Sequence, residues 1–410
     1  MIRTTKTAGL MLASGLTTLA LMQPASALEA QAFIDRFEAV YAVMGYDLDF
    51  GTATLNGDTV TVDGVTVGFA GPDAEGMEPT TFDVELTFTG VVENEDGSYY
   101  AEQLTVPDID TEFAQDPVGH VSLTGMVAEG LWLPPEGETG AEFLLQTVER
   151  VATGPLVVSR AGEEVIRYDG LDYSSEFAFD AEDALESISS TFTVSNIWAD
   201  LSTVGEEQPG AGAVIEALGL TTIDGNISQS GTWTLADGHL ALEESLLDFA
   251  NVGKLNFTFD ITGFTTEVLD KIYAMNGSDI DPTTEEGQAQ QMMMGMEMAQ
   301  ALSISGATIR YDDAGLAPKL LDLFAAQSGT DRAAFVEGIK PVVPAMMADL
   351  NAPALVDLVV PAVNAFLDNP QSFEVAVAPA SPTSFLVLAA AAANPAGLIQ
   401  ALGLTVTANQ

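Results

Sequence analysis

The chain has 410 residues, with 60 Asp or Glu against 12 Lys or Arg, and a formal net charge of −48. A field of that sign repels nucleic acid and anionic membrane surfaces, and no nucleic-acid partner is expected. There is no Cys and there are only two His, so thiol nucleophiles, thiolate metal sites and multi-histidine centres are excluded, while a 47% hydrophobic content is ample for a packed core.

Residues 1–27 carry the three-part layout of a secretory signal peptide. Arg3 and Lys6 form a positive start, Ala8–Met22 a short apolar run, and Pro24-Ala25-Ser26-Ala27 the small residues required for cleavage after Ala27. The run is shorter than the roughly 20 apolar residues of a membrane span. The expectation is export to the periplasm of a Gram-negative bacterium, with no transmembrane segment in the mature chain.

Leu28–Met44 reads as an amphipathic helix through Phe33, Phe37, Val40, Tyr41 and Met44. Its polar face is acidic, so it is expected to dock on a sheet rather than on a membrane. From Asp47 the period changes to two. Thr52–Leu55, Thr59–Val62 and Val65–Phe69 read as strands separated by the hairpin dipeptides Asn56-Gly57 and Asp63-Gly64. Thr81–Val92 and Ser98–Val106 continue the meander, and Val118–Leu133 reads as a strand pair. Ala141–Ala152 reads as a short helix. Leu156–Ser159, Glu164–Tyr168, Leu171–Phe179 and Ser189–Thr203 are further strands.

Glu206–Gly212 (EEQPGAG) has linker composition. A helix at Ala213–Leu218 follows it, then the long strands Asn226–Leu235, His239–Leu247 and Lys254–Gly263. The final third turns helical at Thr265–Met275, Glu285–Leu302, Leu316–Ser328, Asp331–Leu350, Pro353–Leu367 and, interrupted by Asn394-Pro395, Ser384–Leu402. Strands are expected at Ser303–Tyr311, Phe373–Ala378 and Leu404–Thr407. One heptad-length similarity, Ile215–Thr221 against Ile399–Thr405, reads as the same helix-Gly-strand connection used twice.

Motifs for chemistry are sparse. The loop Val92–Gln103 places Asn94, Asp96 and Gly97 like a calcium loop, but its end positions are Val92 and Gln103 where acids are required. Asp312-Asp313 reads as a turn and helix cap. Neither a G-x-S-x-G elbow nor an H-E-x-x-H run occurs. The cluster Met292, Met293, Met294, Met296 and Met298 offers soft thioethers, which suit copper(I), gap-filling in a core, or an adaptable contact for an apolar ligand. Met292, Met293 and Met296 are the candidate contacts for such a ligand. No catalytic residue, metal ligand or cofactor is expected.

The segment Asp248–Gly263, followed by Ser303–Leu316 with its Tyr311-Asp312-Asp313-Ala314-Gly315-Leu316 ending, resembles exported proteobacterial envelope proteins of the YdgA-like and AsmA-like kind, over roughly Ile215–Gln410. That resemblance implies a β-rich envelope protein that handles lipid. The cleavable leader departs from the pattern, since those proteins keep an N-terminal anchor.

The expected architecture is α+β: a long antiparallel β-meander with an N-terminal helix, and a helix-rich C-terminal third packed on the sheet. Segment 28–205 holds the first helix and meander, and 213–410 holds a second sheet segment with the C-terminal helices. The expected role is non-enzymatic, with a lipid or other apolar ligand, or an envelope protein, bound in a groove between sheet and helices. The alternatives are an outer-membrane β-barrel and a carboxylate-based hydrolase.

Overall fold

The computed structural model describes residues 28–69, 79–115, 117–182, 184–276, 284–347, 352–391 and 394–410. The leader at 1–27 and the acidic pair Asp279 and Asp281 lie outside the described residues. The first helix is α1 (Ala30–Val43). It is followed by β1 (Tyr46–Phe50), β2 (Ala53–Asn56), β3 (Thr59–Phe69), β4 (Thr80–Thr89), β5 (Val92–Glu93), β6 (Tyr99–Thr105), β7 (Ile109–Gln115), β8 (Val118–Leu123) and β9 (Val127–Leu133). A short helix α2 (Ala141–Leu144) leads to β10 (Arg150–Thr153), β11 (Leu156–Arg160), β12 (Glu163–Tyr168), β13 (Gly170–Phe179) and β14 (Leu185–Asp200).

Helices α3 (Val204–Glu207) and α4 (Pro209–Leu218) precede the long strands β15 (Thr222–Thr234), β16 (His239–Phe249) and β17 (Gly253–Thr262). Next come α5 (Thr266–Asn276), α6 (Glu285–Ala301), β18 (Ser303–Asp313), α7 (Leu316–Gln327), α8 (Arg332–Ile339), α9 (Val342–Met347) and α10 (Pro353–Asp368). The chain closes with β19 (Ser372–Val377), β20 (Thr383–Ser384), α11 (Phe385–Ala391), α12 (Pro395–Leu402) and β21 (Thr405–Ala408).

The described strands form one antiparallel sheet, and the α+β architecture with its long meander is as the periodicity requires. β1 and β2 lie end to end along β3, which pairs on to β4, β6, β9, β10 and β13. From β13 to β18 the strands pair in sequence order, and β19 and β21 complete that side. A side arm, β7–β8–β11–β12, rejoins the sheet at the far end of β14.

Four local expectations are corrected and one strand is added. Asp63-Gly64 is a bulge inside the continuous β3, where Gly64 takes φ +85° and the register to β4 shifts. The same left-handed glycine that would serve a hairpin serves the bulge. β8 and β9 are not partners: β8 pairs with β7 and β11, and β9 with β6 and β10. β7 is a strand that the sequence pattern does not announce. The helix expected over Ala141–Ala152 stops at Leu144, and Arg150–Thr153 joins the sheet between β9 and β13. Finally, Glu206–Gly212 is not an extended linker: it is helical over Val204–Glu207 and again from Pro209, and the strands on either side of it, β14 and β15, are hydrogen-bonded neighbours.

The best-packed region sits beneath α1. Phe33, Ile34, Phe37 and Val40 close on Val60, Val62, Leu86, Phe88, Tyr99, Leu131 and Leu133. Phe33 makes edge-on contacts with Phe88 and Tyr99, at ring separations of 5.1 and 5.7 Å, the preferred arrangement for aromatic quadrupoles. Arg36 ties the polar side of the helix to the sheet by donating to the carbonyls of Gly97 and Pro134.

Candidate functional site

Residues directly opposite each other on paired strands share a face, so the register assigns every side chain of the long strands to one side. One row runs Tyr173–Phe192–Gln229–Ser245 across β13 to β16. On one side of it lies Ser175–Ser190–Gly231–Leu242–Phe259–Ala307–Val377, and next Phe177–Ile188–Trp233–Leu240–Ile261–Ile304. On the other side lies Leu171–Val194–Ile227–Leu247–Leu255–Tyr311–Phe373–Ala408. No Asp, Glu, Lys or Arg stands in these rows.

The reverse face is the opposite in kind. Its rows include Ser174–Thr191–Ser230–Glu244, Asp172–Thr193–Ser228 and Asn256–Arg310–Glu374–Thr407. The ion pairs of the long strands collect here. Arg150 binds Asp172 and Glu129, Arg310 binds Asp312 and Glu374, and Lys254 binds Asp248 at 2.7 Å. The hydrogen bonds that Arg150 donates to Asp172, and then to Glu129, raise its pKa above the ordinary value, and those that Arg310 donates to Asp312 and Glu374 do the same for it. His239 meets Asp260 at 3.0 Å and His120 meets Asp110 at 2.6 Å, so both histidines stand in carboxylate pairs. Arg167 lies 4.6 Å over the Trp198 ring beside a 400 Å³ polar depression that also takes in Asp169, Asp224 and Asp248. Among the described residues no cluster of three His, Cys, Asp or Glu is placed to hold a metal.

The apolar face is roofed at both sides, and between the roofs Ser175, Ile188, Val194 and Trp233 are buried while Leu247, Leu255, Phe257 and Ile309 are exposed. The register row Val60–Phe88–Leu104–Ala128–Val151–Tyr173 connects the floor under α1 to the long strands. At the other side α10 lowers Phe366 onto Tyr311 and Phe373, with ring separations of 6.4 and 5.8 Å. Between these roofs lies a 520 Å³ groove with Tyr173, Ile188, Phe192, Trp233, Leu242 and Phe259 in its lining. Trp233 is buried, and its indole N–H donates to the carbonyl of Phe264 at 2.7 Å, so its polar end is satisfied and its ring is left to the groove. Toward β18 the floor is open to solvent: Leu247, Leu255, Phe257 and Ile309 are mutual register or same-face neighbours and are 37%, 40%, 37% and 50% exposed. Isolated exposed apolar residues are ordinary on protein surfaces, whereas a contiguous set marks an interaction surface.

The Tyr311–Leu316 motif belongs to the architecture of this face. The Tyr311 hydroxyl donates to the carbonyl of Val252 at 2.6 Å and lies 3.0 Å from the Asp313 carboxylate. Asp313 accepts from the N–H groups of Gly315 and Ala317, capping α7 as the acidic pair leads one to expect, while Gly315 turns the chain at φ +111°. Burial first, and then Asp313, push the Tyr311 phenol well above its ordinary pKa.

The methionines divide. Met294 and Met298 are half-buried, while Met292, Met293 and Met296, the expected ligand contacts, are 70%, 69% and 57% exposed and are not among the groove's lining. Sequence reasoning did not pick out Leu247, Leu255, Phe257 and Ile309 as a patch. Strand alternation places each on the apolar face, but only tertiary structure shows which part of that face the helices leave bare.

Among the described residues no helix is long and apolar enough to cross a membrane. No curated protein matches the chain. A family model described as an uncharacterized protein matches residues 246–409, a stretch that takes in the exposed patch, the Tyr311–Leu316 turn and the α10 roof.

Proposed function

We propose that this is an exported, non-enzymatic envelope protein of the periplasm that holds a lipid or other apolar molecule on the bare stretch of its sheet. The observation that carries this reading is the uncharged face itself, left exposed at Leu247, Leu255, Phe257 and Ile309 between the α1 and α10 roofs. A chain with 60 carboxylates has abundant means to solvate a face, and here it places none. The groove volume falls in the range of small-molecule sites, about 300–1,000 Å³. Strands β13 to β18 at about 4.8 Å spacing give a floor about 24 Å wide, longer than the roughly 15 Å that one leaflet of hydrocarbon occupies. An acyl chain laid across the strands is therefore accommodated at full length.

The test is native mass spectrometry with organic extraction of the mature protein purified without detergent, together with Leu242→Asp. The reading expects co-purifying lipid in the wild type and its loss in the variant, with the circular dichroism spectrum unchanged. A consistently lipid-free protein that takes up no added lipid would sink it. Cell fractionation tests the compartment, for which the reading expects the periplasmic soluble pool.

A further inference from the structure

The uncharged face is not uniformly apolar. Five neutral polar side chains gather in two adjacent register rows: Ser175 opposite Ser190, and Gln229 opposite Ser245, with Tyr173 beginning the second row. The Tyr173 hydroxyl is hydrogen-bonded to Ser175 Oγ at 2.6 Å, and the Gln229 side chain is exposed. Apolar ground borders this patch on both sides, Ile188, Trp233 and Leu240 on one and Val194, Ile227 and Leu247 on the other. Beyond Leu247 the exposed floor continues through Leu255 and Phe257 to Ile309. The surface thus has a place for a hydrogen-bonding head and a strip for a chain.

What the face lacks is a counter-charge. A carboxylate or phosphate brought onto it would be stripped of water with no Lys or Arg to receive it, and desolvating an unpaired ion is costly. Arg150, Lys254 and Arg310 are turned to the other side and held there by carboxylates. The net charge of −48 opposes an anion's approach as well. Resting on the lipid-binding reading above, we propose that the groove takes an uncharged amphiphile, an acyl chain bearing a hydroxyl or ester head such as a monoacylglycerol, and discriminates against fatty-acid carboxylates and phospholipids. The head hydrogen-bonds at Gln229, Ser190 and Ser245 while the chain covers Leu247, Leu255, Phe257 and Ile309.

The experiment titrates the delipidated mature protein with a monoacylglycerol and with the fatty acid of the same chain length. Binding of each is read by isothermal titration calorimetry at a pH where the carboxylate is ionised. The neutral lipid is expected to bind about tenfold more tightly, which is about 1.4 kcal/mol, and to keep that advantage near 1 M salt, where screening acts within about 3 Å. Equal affinities, a preference for the fatty acid, or a preference that salt abolishes would each overturn the head-group inference and leave the lipid reading standing. Absence of binding by either probe would overturn the lipid reading itself. Gln229→Lys, at an exposed position, is expected to raise fatty-acid affinity about tenfold with the neutral lipid little changed. An unaltered preference in that variant would show that selection does not occur at this patch.

Discussion

Phe33 and Phe257 provide a paired test of where the apolar face is covered. Phe33 is fully buried under α1, between Phe88 and Tyr99, so Phe33→Ala removes its transfer free energy and leaves a closed cavity. The expected cost is about 3–5 kcal/mol. Phe257 is 37% exposed and its neighbour Ile309 is 50% exposed, so Phe257→Ala leaves a dent open to water rather than a cavity. Scaling a full phenylalanine transfer of about 1.5–3 kcal/mol by the buried share gives about 1–2 kcal/mol. Equilibrium urea unfolding of delipidated protein measures both values. A lipid at a hundred times its dissociation constant should stabilise the wild type by about 2.7 kcal/mol and the Phe257 variant by less. If Phe257→Ala costs as much as Phe33→Ala in the lipid-free protein, this part of the sheet is covered in solution and the groove argument fails.

Three further perturbations separate local geometry from packing. Gly219 and Gly403 close the two repeated helix ends at φ +65° and +57°, but a Cβ on Gly219 meets nothing within 4 Å while one on Gly403 would collide with the Ala378 carbonyl oxygen. Gly219→Ala should therefore cost about 1–2 kcal/mol, the left-handed penalty alone, and Gly403→Ala distinctly more. Equal losses in thermal unfolding would contradict the close approach of Ala378 to Gly403. The phenols of Tyr41, Tyr99, Tyr100, Tyr273 and Tyr311 are all raised, in each case first by burial. Their contribution to stability is complete below the unfolded-state value of about 10 and is lost as pH rises above it. Stability measured across that range should fall, and Tyr311→Phe should shallow the fall while removing the hydrogen bond to Val252; an unchanged slope would show that Tyr311 ionises as freely as in the unfolded chain. Replacing Met292, Met293 and Met296 together by Ala should change stability by no more than about 0.5 kcal/mol per site, as at other exposed positions. A loss of lipid affinity in that variant would place α6 against the ligand after all.

Much of the fold was legible because one physical signal dominates it. Strands such as Gly253–Thr262 alternate apolar and polar residues, and register then carries that alternation from strand to strand. The repeated Ile-x-Ala-Leu-Gly-Leu-Thr segment was equally readable: both copies close with the glycine N–H bonded to the residue three back, and with the next leucine N–H bonded to the isoleucine carbonyl. Errors arose where tertiary pairing overrides local preference. Arg150–Thr153 follows residues of good helix-forming composition, yet the free edges of β9 and β13 claim it as a strand. Ile109–Gln115 carries Asp110 and Glu112 between its apolar residues and pairs along one side only, so burial gave it little signature. Proline and glycine in Glu206–Gly212 read as a linker, but Pro209 occupies the first turn of α4, where its missing N–H costs nothing.

The candidate site was half legible for a related reason. Alternation tells which face a residue joins, and an uncharged face is what any ordinary core requires. What separates a core from a binding surface is the roof, and the roof is set by long-range contacts such as Phe366 on Tyr311 and Phe373. The distribution of charge then acquires meaning only with the exposure beside it. Under α1 the absence of charge needs no functional account, because nothing there meets water. At Leu247, Leu255, Phe257 and Ile309 the same absence persists although solvent reaches the side chains. A surface free to carry Ser, Thr or Asp at those positions, as the reverse face does, would be more soluble. Keeping the open stretch apolar and uncharged is a cost to the unliganded protein, and a ligand that covers the stretch removes that cost.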